Sequence, residues 1–252
     1  MQVQRILCCD LEQMDYKSCW DLQERLFKQL IEGKISRRAQ SQNTETVNHY
    51  LLLVEHPHVF TLGKSGKAEH LLAATHELKQ LNAQFYPINR GGDITYHGPG
   101  QVVGYPLLDL DFFFTDIHRY LRLLEETIIQ VLASYQILAS RSPGETGVWI
   151  EPEHLTRARK ICAFGVRCSR WVTMHGWALN VNTDLNYFNH IIPCGIKGKG
   201  VTKGHHTGDL LVTVDVQVPR RAEGKVEDAI KAFAEATKDI DVRSEFREKA
   251  QQ

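Results

Sequence analysis

Lys160-Ile161-Cys162-Ala163-Phe164-Gly165-Val166-Arg167 and, after four intervening residues, Val172-Thr173-Met174-His175-Gly176-Trp177-Ala178-Leu179-Asn180-Val181 decide the fold class. Both runs suit a pleated, largely buried surface, and they follow one another as hairpin neighbours do. Further strand-like runs fall near 59–62, 84–88, 101–109, 146–150 and 211–217, and Tyr50-Leu51-Leu52-Leu53-Val54-Glu55 adds another. Helical spacing is confined to isolated places. Thr115 or Asp116 opens the clearest helix, where Ile117, Tyr120, Leu121, Leu124, Ile128, Val131, Leu132 and Tyr135 recur on one face. Asp15 is expected to cap a helix from about Tyr16 to Glu32 with Cys19, Trp20, Gln23, Leu26, Phe27, Leu30 and Ile31 near one face, and with Gly33 beyond its end. Residues 34–48 read as a surface loop, and a final helix is expected near 223–236. Hairpin-like neighbours mixed with isolated helices indicate an α+β protein, not a chain of repeating βαβ units.

The 252 residues suffice for one domain spanning 1–252 with a sizeable core. A formal net charge of zero implies no general affinity for nucleic acid. Arg157-Ala158-Arg159-Lys160 reads either as a local positive surface for an acidic partner or as a solvated face. No stretch approaches the roughly twenty apolar residues that span a bilayer, so no membrane association is expected. Asp10, Glu12 and Asp15 exclude an ordinary secretory signal, and residues 1–30 set Arg5 and Arg25 against several acids, unlike a mitochondrial presequence. The chain therefore reads as cytoplasmic, although a mitochondrial matrix protein with its presequence removed would look the same. Six cysteines without framework spacing argue for reduced thiols, and no zinc pattern appears. No metal and no cofactor are expected.

Chemistry concentrates in a few segments. Pro193-Cys194-Gly195 places a cysteine in a turn, with Lys197, Lys199 and Lys203 close behind it. Positive charge near an exposed thiol favours the thiolate, which makes Cys194 a candidate nucleophile. Cys8, Cys9, Cys19 and Cys162 lie in apolar or amphipathic runs, and burial accounts for them. Arg90-Gly91-Gly92-Asp93-Ile94-Thr95-Tyr96-His97-Gly98-Pro99-Gly100 carries four glycines, as a loop does that brings main chain close to a ligand or simply turns tightly. It lacks the Gly-Lys-Ser/Thr ending of a P-loop and the dinucleotide G-x-G-x-x-G order. Lys160 opens an apolar strand, where burial would lower its pKa and fit it to exchange a proton with a thiol; a solvated strand-edge lysine is the plainer reading. In His175-Gly176-Trp177-Ala178-Leu179-Asn180, Gly176 and Ala178 leave room beside a strand.

Taken in order, Arg90 to Gly104, Lys160 to Gly165, Trp171 to Asn182 and Ile192 to Gly200 resemble the octanoyltransferases of lipoate biosynthesis. That family carries Arg-Gly-Gly…Tyr-His-Gly-Pro-Gly-Gln, Lys-Ile-x-x-x-Gly, His-Gly-x-Ala-Leu-Asn and Pro-Cys-Gly in this sequence, and the likeness spans roughly residues 50–205. It implies a mixed β-sheet with flanking helices, similar to the catalytic domains of biotin protein ligases and lipoate ligases. It also implies an ATP-independent acyltransferase in which Cys194 takes the octanoyl group from octanoyl-acyl carrier protein as a thioester. The ε-amine of a lipoyl-domain lysine would then accept the group, with Lys160 as the catalytic lysine. Arg90, Gly91, Gly92, Asp93, Ile94, Thr95, Tyr96 and His97 would line the acyl cavity, completed by Ala163, Phe164, Gly165, Gly176, Trp177 and Ala178.

The resemblance further implies lipoyl domains of 2-oxoacid dehydrogenase complexes and the glycine cleavage H protein as acceptors, and a monomeric enzyme. The chain departs from the family pattern at Asp93, where glutamine is common, and at Trp177, where leucine is frequent. The stretch Val201-Thr202-Lys203-Gly204-His205-His206 replaces the usual Val-Thr-Ser-Leu. Two rivals stand beside this reading. An ATP-dependent lipoate or biotin ligase of the same fold would need no catalytic cysteine, which Pro-Cys-Gly counts against. A catalytically silent acyl- or protein-binding module is the other, and intact Cys194 and Lys160 count against it.

Overall fold

In the computed structural model, residues 4–39, 47–154, 156–192 and 200–201 are described. The chain divides into two units, Met1–His206 and Thr207–Gln252, and every described residue belongs to the first. The strand expected near 211–217, the helix near 223–236 and part of the single-domain expectation therefore lie outside the described residues. Ten strands and three α-helices are described: β1 Arg5–Gln13, α1 Tyr16–Ala39, β2 Asn48–Glu55, β3 Val59–Leu62, α2 Thr75–Gln80, β4 Gln84–Pro87, β5 Ile94–His97, β6 Gln101–Leu107, α3 Ile117–Ser134, β7 Val148–Ile150, β8 Arg159–Ser169, β9 Val172–Asn180 and β10 Gly200–Val201.

The main sheet runs β1-β2-β6-β9-β8-β10, with β7 also paired to β8, and a second sheet runs β4-β3-β5. Parallel pairs (β1 with β2, β10 with β8) and antiparallel pairs (β2 with β6, β6 with β9, β8 with β9) share the main sheet, which makes it mixed. β8 and β9 form the expected hairpin. Their turn is two residues long, and Arg170 and Trp171 both take left-handed φ values (51° and 62°), the tight geometry that matches strand twist without the usual Asn-Gly.

Nearly every residue of β9 is buried because helices cover the sheet on both faces. On one face α1 sets Cys19, Phe27 and Leu30 against Leu52, Val103, Tyr105, Met174 and Ala178. On the other, Ile128 and Leu132 of α3 pack on Val148, Ile161, Cys162 and Leu179, joined by Phe164 and Trp177. The smaller sheet has its own cluster of Phe60, Ile94, Tyr96 and Ile191.

Local chemistry explains the helix starts and one overrun. Asp15 Oδ2 accepts from the Ser18 amide at 3.0 Å, and Asp116 Oδ1 accepts from His118 and Arg119 at 2.9 and 3.0 Å. Helix α1 does not stop at Glu32. It continues through Gly33 because Lys34 pairs with Asp109 at 2.7 Å and Asp111 at 2.9 Å, while Arg37 reaches Asp109 at 3.1 Å. These ion pairs pull into the core a stretch whose polarity reads as loop. Cys8, expected to be buried, is exposed on edge strand β1. The basic cluster at 157–160 is partly neutralised, since Glu151 pairs with both Arg157 and Arg159. Among the described residues no helix is long and apolar enough to cross a membrane.

Candidate active site

A cavity of about 510 Å³ opens where the glycine-rich segment meets the middle of the β8–β9 hairpin. Its wall contains Arg90, Gly91, Gly92, Asp93, Ile94, Thr95 and His97 from the first segment. β8 supplies Lys160, Ala163, Phe164 and Gly165, and β9 supplies Gly176, Trp177 and Ala178. Only Tyr96 of the expected cavity residues stands apart. As the residue between Thr95 and His97 on β5, it points the other way. Its ring stacks on Tyr187 at 4.8 Å and its hydroxyl lies 2.7 Å from His58 Nδ1. The glycine-rich segment is also more regular than a loop, because β5 pairs antiparallel with β3 inside it.

The small residues act by what they leave out. Ala163 pairs with Ala178 and Gly165 with Gly176 across the hairpin, so four adjacent positions carry a methyl group or nothing. A Cβ on Gly165 would lie 3.0 Å from both Arg90 Cδ and Gly91 O. Arg90 can therefore cross the strand beside it, and Gly91 donates its amide to Val166 O at 2.9 Å. The guanidinium is buried and held in place, with Nη2 donating to Thr61 O at 2.8 Å and Nη1 to Gly91 O at 3.0 Å.

Burial, with a smaller contribution from this cation, sets the protonation of its neighbours. Burial pushes the His97 pKa down to about 3, with His56 and Arg90 adding repulsion. His175 is pushed down to about 3 by burial, then by Arg90 and Arg167. Both imidazoles are neutral near pH 7. Gln101 Nε2 donates to Asn180 Oδ1 at 2.9 Å, so its Oε1 accepts from His97 Nδ1 at 2.7 Å and leaves His97 Nε2 as an acceptor. His56, down to about 4 through burial, donates from Nδ1 to Met14 O and accepts from the Tyr105 hydroxyl at 2.9 Å.

His175 is the strained member. Its φ of 57° lies in the left-handed region, at a cost of about 1–3 kcal/mol for a residue with a side chain. Two polar contacts hold it: its amide donates to Gln23 Oε1 at 3.1 Å and Nε2 to Asn89 Oδ1 at 2.9 Å. Lys160 stands at the opposite end of the β8 segment from Val166. It is half-buried, with Nζ 4.7 Å from the centre of the Trp149 ring.

Sequence reasoning missed several wall residues: Tyr16, Val103, Tyr105, Leu121, Gly144, Glu145, Thr146 and Val166, together with His175 as a cavity group. Ser142-Pro143-Gly144 had a turn signal. Tyr16 and Tyr105 gave none, since each looks like a core aromatic.

Cys194 lies outside the described residues. The five described cysteines are all absent from the cavity wall, and burial pushes the Cys19 thiol up to about 12 and that of Cys162 well above its usual value. The described chain on either side of 193–199 ends at elements of the wall. Ile191 is buried against Ile94, Ile192 donates its amide to His70 O at 2.8 Å, and Val201 pairs with Lys160. Among the described residues no group of three or more His, Cys, Asp or Glu could hold a metal ion.

Comparison with known proteins fits this geometry. An octanoyltransferase of Christiangramia forsetii is 65% identical over 188 residues, covering 75% of this chain and 80% of that protein. One from Cytophaga hutchinsonii is 54% identical over 213 residues, covering 84% and 86%. Among solved structures, a bipartite lipoate protein ligase from Thermoplasma acidophilum superposes with a TM-score of 0.54 at 18% identity, covering 92% of this chain and 82% of that one. A lipoate-protein ligase A bound with ATP gives a TM-score of 0.53 at 17% identity over 93% and 85%. These likenesses establish the lipoate ligase fold. With residues 15–237 matching the profile described as the lipoyl protein ligase A/B catalytic domain, the chain belongs to that family.

Proposed function

We propose that this protein is an octanoyltransferase of lipoate biosynthesis that carries the acyl group on Cys194 on its way from acyl carrier protein to a lipoyl-domain lysine. The observation that carries this is the identity of 65% to an octanoyltransferase over four-fifths of that enzyme's length, in a chain that keeps Lys160 on the wall of an apolar cavity. In the first half-reaction Cys194 Sγ attacks the thioester carbonyl, the new C–S bond forms, and the carrier thiol leaves with the proton that Lys160 relays. In the second, the acceptor ε-amine attacks the octanoyl-cysteine, loses a proton to Lys160, and expels the Cys194 thiolate as the amide forms. A thioester already stores the activation that an adenylate would supply, so no ATP is needed.

The cavity suits the acyl group. Seven aliphatic carbons at about 0.8 kcal/mol each give about 6 kcal/mol of burial before the costs of association. The Ala163, Gly165, Gly176 and Ala178 positions supply width. Main-chain amides near the glycine-rich wall supply donors for the tetrahedral oxyanion. The acceptors are lipoyl domains of 2-oxoacid dehydrogenase complexes and the glycine cleavage H protein, the enzyme acts as a monomer, and the reaction belongs in the bacterial cytoplasm.

The deciding experiment incubates the full chain with octanoyl-acyl carrier protein without ATP and reads intact mass before and after hydroxylamine. An octanoyl adduct that hydroxylamine removes, lost in Cys194→Ala, is the expected result. If Cys194→Ala still acylates a lipoyl domain, or transfer requires ATP, the reading fails.

A further inference from the structure

The stretch Gly63 to Leu72 runs as a strap across the glycine-rich segment. Gly63, Lys64 and Ser65 donate their amides to the carbonyls of Asp93, Arg90 and Gly92 at 3.1, 3.0 and 3.1 Å. The strap then passes through a 3₁₀ turn, Ala68–His70, and joins the chain that leads towards Pro193. There the Leu72 amide donates to His190 O at 2.9 Å, and Leu71 bridges Ile191.

His70 serves both connections. Its carbonyl accepts from the Ile192 amide at 2.8 Å, and its Nδ1 lies 2.6 Å from Asp93 Oδ2, off the axis of a hydrogen bond. Both side chains are largely shielded, at 19% and 12% exposure. Asp93 is itself fixed, since Oδ1 accepts from the Ile94 amide at 2.6 Å and a Cβ on Gly66 would press on the same oxygen. One side-chain contact thus ties a wall of the cavity to the main chain at Ile192.

We propose that His70 and Asp93 form a positioning pair for acyl transfer, holding the chain at Ile192 in register with the acyl cavity. The inference rests on the reading that Cys194, two residues beyond Ile192, is the nucleophile. Neither residue exchanges protons with the reacting atoms. They set where the chain enters the site, and misplacement by about 1 Å can cost about 100-fold in rate.

The test is a double-mutant cycle on the full chain, with octanoyl-acyl carrier protein as donor and a lipoyl domain as acceptor. His70→Leu and Asp93→Leu are each expected to lower kcat at least about tenfold, with KM for the donor within about threefold. The double variant is expected within about twofold of the slower single, because the second change finds nothing left to break. His70→Asn, whose side-chain amide can still donate to Asp93, should recover most of the rate. Multiplying losses, losses confined to KM, or wild-type rates in both singles would overturn the pair. If the leucine variants do not fold by circular dichroism, His70→Ala, Asp93→Ala and their double carry the same cycle. Intact mass separates the two readings: a failed cycle with an octanoyl-Cys194 adduct in wild type sinks the pair alone, whereas no adduct in wild type sinks the nucleophile and the inference with it.

Discussion

The ammonium of Lys160 lies 4.7 Å from the centre of the Trp149 ring, and the two residues are also partners across the β7–β8 pair. The strand pairing fixes the backbone of Lys160 and the ring fixes its tip. Between them the stem is confined by Gly147, where a Cβ would lie 2.9 Å from Lys160 Cε and 3.1 Å from Cδ. Gly147 is tied in turn to α3, since the buried Glu125 accepts its amide at 2.9 Å while Arg141 and Arg122 balance the carboxylate at 3.0 and 2.8 Å. A free lysine side chain forfeits about 1.5–2 kcal/mol of rotamer entropy when ordered. Here folding bears that cost in advance of substrate binding.

Replacing Trp149 by leucine should slow acyl transfer about 2- to 30-fold, the rate equivalent of a cation–π contact worth about 0.5–2 kcal/mol. Trp149→Phe keeps an aromatic face and should stay within about threefold of wild type. Trp149 is buried, so thermal stability falls as well, and kcat must be compared at a temperature where each variant is folded. A wild-type kcat in the leucine variant would show that the ring does not position the ammonium.

Gly147→Ala tests the stem. At φ 136° an alanine is strained by about 1–3 kcal/mol, and its methyl would also meet Cys162 O at 3.1 Å. Something must move, and Lys160 is the flexible neighbour. We expect kcat to fall at least about tenfold while KM for the donor holds, as displacement of Lys160 from its proposed catalytic role predicts. A proportionate rise in KM instead would assign Gly147 to substrate binding.

The sequence periods that reported a buried face were sufficient for α3 and for β8–β9, where Asp116 marks the cap and the apolar runs mark the strands. They failed where long-range pairing overrides local signal. Lys34 reads as solvent-facing, yet Asp109, 75 residues away, draws it into the core. β5 hides among glycines because its partner, β3, is more than thirty residues upstream. The same limit applies to the cavity. Motif order selected Ala163, Gly165, Gly176 and Ala178, but Tyr105 and His175 became cavity residues only through the register of β6, β8 and β9. His70 offered no signal, since its partner Asp93 lies 23 positions on and no motif joins them.

Buried neutral histidines make stability depend on pH. The folded pKa values of His56, His97 and His175, at about 4, 3 and 3, lie below the unfolded value of 6.5. Between these limits the unfolded chain binds protons that the native state does not, so stability is full above pH 6.5 and is lost as pH falls towards 4. At about 1.4 kcal/mol per pKa unit, His56 alone accounts for about 3 kcal/mol across that window. Urea midpoints should drop steadily from pH 7 to pH 5, and His97→Asn should flatten the slope by about one proton. A flat profile in wild type would mean that these rings are accessible to protons in the folded state.

Chain-length selectivity should follow Ala178 and not Trp177, although both border the cavity. Cross-strand partners share a face of the sheet. Ala178 pairs with Ala163 and Val103 on the α1 face, whereas Trp177 pairs with Phe164 and Gly104 and packs with the α3 cluster. The indole lies over Gly104, where a Cβ would collide with it, so the ring fills a gap in the sheet instead of the acyl path. The Ala163–Ala178 pair lies three residues along β8 from Lys160, roughly 10 Å at strand rise. An extended eight-carbon acyl chain covers about 8 Å, taking three backbone bonds per 3.3–3.6 Å as the measure. With its carbonyl at Lys160, as the proposed mechanism requires, the methyl end would arrive at Ala178. Ala178→Leu should obstruct the last two or three carbons, worth about 2 kcal/mol, and lower kcat/KM for octanoyl about 30-fold while sparing butanoyl and hexanoyl donors. Trp177→Leu should lower thermal stability by leaving a void above Gly104, with the octanoyl-to-hexanoyl ratio within about twofold of wild type. Because each ratio is measured on one folded population, loss of stability cancels from it. Broadened preference in Trp177→Leu with unchanged preference in Ala178→Leu would place the end of the acyl path on the α3 face.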